Sequence, residues 1–130
     1  MLRKDGRLIV NFENRIWHAI AAGLRENYEE AIWFMSSAEP IVKAYDILPP
    51  VRLYSIQEIE ELCFRHDLKI DSFTGLRYIT SYQEPLQGIR TTETEYMLRD
   101  DEKARELEKL FADRADLRCL ARHLLVCVSL

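Results

Sequence analysis

The chain has 130 residues, 48% of them apolar and 31% charged, with a net charge of −4. That balance reads as a single globular domain spanning 1–130, and the interleaved acids and bases leave no basic block to grip nucleic acid. Three cysteines at irregular spacing argue against a disulfide framework and for a reducing, cytoplasmic setting. No apolar run is long enough to cross a bilayer, and the opening residues lack the apolar core of a secretory signal.

"RLIVNF" (7–12) reads as a strand. A helix is expected from about Asn14, with Ile16, Trp17, Ile20, Leu24 and Tyr28 as its buried stripe. Arg15, His18, Ala22, Arg25 and Glu26 fall on its other side, where His18 would be an exposed base without a nucleophile nearby. "AIWFMS" (31–36) reads as a buried strand, paired through a turn at "SSAEP" with "IVKAYDIL" (41–48). The Pro-rich stretch at 47–55 is an extended crossover.

Ser55 and Glu58 form an S-x-x-E capping box, so a helix is expected over 55–66. "GLRYITSYQ" (75–83) and "IRTTETEYML" (89–98) are expected as strands. Asp100, Asp101 and Glu102 then favour a helix start, and its apolar phase breaks near Asp113. A further helical piece carries Leu117, Leu120, Ala121 and Leu124. "LLVCVSL" reads as a last strand, apolar on both faces and covered on two sides. The expected class is α+β, a mixed β-sheet of about six strands with three helices packed on it, in the order β-α-β-β-α-β-β-α-β.

Three groups of residues carry possible chemistry. Cys63 with His66 and Cys119 with His123 have the donor inventory of a structural zinc site. Helical phase puts the first pair on an apolar stripe and the second opposite one, so ordinary packing outweighs metal. Glu93 and Glu95 share one face of a strand, and with Arg77 or Arg90 as an anion holder they are the catalytic alternative. No phosphate loop, nucleophile elbow or cofactor fingerprint is present, so no cofactor is expected.

The aromatic residues point elsewhere. Tyr78, Tyr82 and Tyr96 would either line a core edge or form an open platform, and Phe64 lies off the apolar stripe of its helix. The expected function is therefore non-catalytic: an adaptor, inhibitor or immunity-type accessory protein that binds another protein. Homodimerisation through a sheet edge is also compatible with this pattern.

Overall fold

The computed structural model describes residues 3–43, 48–78 and 102–130. Their elements are β1 (Arg7–Asn14), α1 (Arg15–Leu24), α2 (Tyr28–Ser36), β2 (Ile41–Val42) and β3 (Val51–Tyr54). There follow α3 (Ile56–Arg65), β4 (Lys69–Leu76), α4 (Glu102–Ala112), a 3₁₀ helix (Ala115–Leu120) and β5 (His123–Ser129). The strands form one mixed sheet in the order β2-β3-β1-β5-β4. β1 runs parallel to β3 and antiparallel to β5, and β4 is antiparallel to β5.

β5 therefore lies inside the sheet. Leu124, Val126 and Val128 alternate as buried residues on one face, where they pack with Ile59, Cys63, Tyr78 and Ala121. Such alternation is what a strand with one tightly packed face requires. A second, smaller core joins Ala19 and Ala22 of α1 to Phe34 of α2 and Leu53 of β3.

The α+β class and the mixed sheet stand, but among the described residues there are five strands and five helices, not six and three. The largest correction is at 31–36, which is helix rather than strand. A short apolar run cannot be assigned by periodicity alone, and here capping decides it. Asn27 Oδ1 accepts the Glu30 N–H at 3.3 Å, and Glu29 and Glu30 occupy the first turn. Glu26, with φ of 60°, breaks the chain between α1 and α2, so the first helix stops at Leu24.

With no strand at 31–36, the expected hairpin is lost. The pair that forms is β2 with β3, which places Val51–Tyr54 in the sheet rather than in a crossover. The helix expected over 55–66 is α3, and both hydrogen bonds of its capping box form. Of the expected strand at 75–83, Gly75 and Leu76 belong to β4, Arg77 and Tyr78 follow it, and 79–83 lie outside the described residues. Arg77 adopts φ of 60° and turns the chain out of the sheet. The expected strand at 89–98 lies outside the described residues.

Candidate functional site

Two features of α1 set it apart from an ordinary surface helix. The first is the way it is fastened. Asn14, fully buried at the end of β1, caps α1 by accepting the Ile16 N–H at 3.0 Å. Its Nδ2 donates to the carbonyls of Cys119 at 2.8 Å and Ala121 at 2.6 Å, so one amide ties β1 and α1 to the segment leading into β5. Arg15, the next residue, donates to the carbonyls of Phe34 and Ser37 and to Glu58 Oε1 at 2.9 Å, which docks α1 against α2 and α3.

Beside this lies a compact ionic cluster. Glu13 Oε2 accepts from His18 Nε2 at 2.9 Å, His123 Nδ1 lies 3.3 Å from Glu13 Oε1, and Arg122 Nε is 3.8 Å from Oε2. A carboxylate only accepts, so His18 Nε2 carries a hydrogen. The Arg122 guanidinium stacks 4.8 Å above the Trp17 ring, and His18 packs edge-on between Trp17 and Phe34. Burial pushes the Glu13 carboxyl up, but the His18 hydrogen bond and the charges of His123, Arg122 and His18 hold it below its ordinary value. His18 is thus buried and paired, not the exposed base expected from helical phase.

The second feature is what α1 leaves outside. The stripe expected to be buried is largely the exposed one: Leu24 is 42% and Tyr28 64% accessible, with Ile20 also exposed, whereas Ala22 is fully buried. Small residues let α1 sit close to α2 and the sheet, and Ile20 and Leu24 face outward. Trp17 alone of that stripe is deeply buried, and Ile16 is half-buried. On α2, Ile32, Trp33 and Met35 are exposed as well. Between the two helices runs a groove of about 580 Å³, walled by Ile16, Ala19, Ile20, Ala31, Ile32 and Met35.

The residues singled out from the sequence divide. Phe64 is 83% exposed on α3, in a shallow depression with Glu60, Glu61 and Arg65. Tyr78, by contrast, is a core residue. Its ring lies 5.5 Å from that of Phe111, and its hydroxyl is buried with no hydrogen-bond partner among the described residues. The turn at Arg77 is the reason: it takes Tyr78 off the strand and folds it back over Gly75. The other platform residues, Tyr82 and Tyr96, and the catalytic alternatives Glu93, Glu95 and Arg90 lie outside the described residues.

The Cys/His pairs are not brought together. Cys63 is buried in the main core, whereas His66 caps the C-terminus of α3 and is exposed rather than on the buried stripe. Cys119 sits in the 3₁₀ helix, and His123 is engaged with Glu13. Among the described residues no group of three or more His, Cys, Asp or Glu side chains is placed to hold a metal ion, and no helix is long and apolar enough to cross a membrane.

The uncovered α1–α2 face is the feature that reasoning from the sequence missed. Its signal was present, because α1 carries apolar residues on both sides, Trp17 and the alanines on one and Ile20 and Leu24 on the other. Comparison with known protein families matches the chain to none of them, and comparison with curated proteins likewise gives no match.

Proposed function

We propose that this protein is a non-catalytic interaction module that binds a partner protein through the α1–α2 groove. The observation that carries this reading is what the two helices leave outside: Ala19, Ala21 and Ala22 of α1 are buried, whereas Ile20 and Leu24 of α1 and Ile32 and Met35 of α2 are exposed. Contiguous exposed apolar surface is costly in water and marks a surface that another molecule covers. A groove between two helices, apolar along both walls, suits the apolar face of an amphipathic helix. Asn14 ties α1 to the segment entering β5 and Arg15 ties α1 to the end of α2, so the groove is preformed and little ordering is required on binding.

The test is selection of binding peptides from a random display library on the immobilised protein. Enrichment of amphipathic helical peptides whose binding is lost in Ile32→Glu supports the reading. Binders indifferent to Ile32→Glu and Ile20→Glu, or no enrichment, would remove it.

A second reading rests on a separate observation. The carboxyl ends of the parallel strands β1 and β3 lie side by side, with Asn14 paired to Tyr54 in register, and each strand passes at once into a capped helix. In open sheets with parallel strands, small ligands bind beyond such strand ends. In this reading the Glu13–His18–His123 cluster orients a small polar ligand. Titration with small carboxylates and nucleotides, followed through the imidazole resonances of His18 and His123, tests it; unmoved resonances would exclude that class.

A further inference from the structure

β1 is paired on one side only. Toward β5 its register runs unbroken from Arg7↔Ser129 to Glu13↔His123, but toward β3 only Glu13 and Asn14 have partners. Among the described residues, Arg7–Asn11 therefore presents an open edge, with Phe12 flanked by Arg52 in the β1–β3 register. The phase of that edge follows from one hydrogen bond. The Asn14 N–H donates to the Arg122 carbonyl at 2.9 Å, so Asn14 points its backbone groups toward β5. Backbone direction alternates along an antiparallel strand, so Leu8, Val10 and Phe12 also point toward β5. Arg7, Ile9 and Asn11 point their N–H and C=O groups into the open edge.

Beyond Arg7 at its start, this edge lacks the usual protections. It carries no proline, no bulge within β1 and no lysine, and its middle is the apolar run Leu8–Ile9–Val10. Ile9 is 67% exposed and Leu8 is also exposed, on opposite faces of the sheet. A strand laid alongside would satisfy the backbone and shelter both.

We propose that a second copy of this chain supplies that strand, with the two β1 strands antiparallel across a two-fold axis at Ile9. In this register Ile9 faces Ile9 of the other copy, Leu8 faces Val10, and Arg7 faces Asn11. No like charges oppose each other. The paired residues that point into the edge are Arg7, Ile9 and Asn11 on both copies, so each of their N–H groups meets a carbonyl. Moving the axis to Val10 would set Arg7 against Glu13, where β3 already occupies the edge. An axis at Ile9 centres the pairing on Arg7–Asn11 and ends it before Phe12, which Arg52 flanks in the β1–β3 register. The two sheets become one continuous sheet, and the contact is isologous, as two-fold association requires.

The experiment is sedimentation equilibrium of the full chain, unaltered and with Ile9→Pro. Proline at position 9 removes an N–H that points outward, so the β1–β5 ladder is untouched and the fold survives. The unaltered chain should dimerise and Ile9→Pro should weaken that dimer about tenfold or more. Ile9→Cys gives an independent readout, because facing residues of a hydrogen-bonded pair lie within disulfide reach. Mild oxidation of that variant should yield a covalent dimer, with peptide mapping placing its disulfide between the two copies of position 9. A monomer at high micromolar concentration, or a dimer unchanged in Ile9→Pro, would overturn the proposal.

Discussion

The Asn14 side-chain amide donates to the Ala121 carbonyl at 2.6 Å across 107 positions of sequence, and its oxygen meanwhile caps α1. One residue thus ends a strand, starts a helix and holds the segment entering β5. Asn14→Ala should cost about 2–4 kcal/mol, the sum of a lost cap and two buried carbonyls left without donors. Asn14→Asp separates the two roles. It keeps the capping oxygen but turns a negative charge toward the carbonyls of Cys119 and Ala121, so it should be no more stable than Asn14→Ala at neutral pH. Urea unfolding of both variants checks this.

Acid stability should depend on Glu13. Its folded carboxyl titrates below its ordinary value, so its contribution is fully present above the unfolded value and is lost as pH falls through the folded one. Glu58 acts in the same direction: burial raises it, but the Ser55 backbone and hydroxyl and the Arg15 charge lower it further. Glu13→Gln should lose about 1–3 kcal/mol at neutral pH, as expected for hydrogen bonds to a charged group. It should also show a shallower loss of stability on the acid side. Unfolding free energy measured between neutral pH and about pH 3, where ordinary carboxylates have become protonated, gives both quantities.

Gly75 and Tyr78 should be coupled. A Cβ at position 75 would overlap the Tyr78 hydroxyl oxygen, lie 2.7 Å from Tyr78 Cζ and 2.8 Å from the Ala121 Cβ. Gly75→Ala should therefore cost about 1–3 kcal/mol as an overpacked core site. Tyr78→Phe alone should change stability little, since it removes a buried hydroxyl that has no partner among the described residues. In the double variant the overlap with the hydroxyl is gone, so part of the Gly75→Ala loss should be recovered. A double-mutant cycle by chemical denaturation measures that coupling.

The aromatic residues should divide by burial. Phe34, 3% exposed between His18 and Trp33, should cost about 3–5 kcal/mol when replaced by alanine. Phe64→Ala should leave thermal stability within about 0.5 kcal/mol, because its ring is already in water. If Phe64 belongs to an interaction surface, its replacement acts on binding and not on folding.

These contrasts also show what the sequence made legible. Helix α3 was readable because Ser55 and Glu58 announce its start locally and its apolar residues keep one phase. β5 was readable as a strand from the apolar run "LLVCVSL", although the cover expected on both sides is complete on one face only, with Leu125 and Cys127 half-buried on the other. Helix α2 was not, since its nine residues carry little periodic contrast and its only clear signal is the Asn27 cap. The candidate site was hidden for a different reason. Which side of α1 is buried depends on how closely α2 and the sheet approach, and alanines permit an approach that larger side chains forbid. Glu13, His18 and His123 are likewise joined by strand register and helix entry, neither of which leaves a local motif.

The position of β5 has a consequence for how the chain is made. β1 emerges from the ribosome well before its full-length neighbour, which follows it by more than a hundred residues, from Glu13↔His123 to Arg7↔Ser129. Until then β1 has β3 beside it at Glu13 and Asn14 alone. Closing so long a loop must precede the contacts that reward it, which slows folding. Through that interval Leu8, Ile9 and Val10 are bare on both edges, a nascent strand open to any neighbouring strand on the same polysome. Yield of folded protein should therefore depend on how fast, and how crowded, its synthesis is.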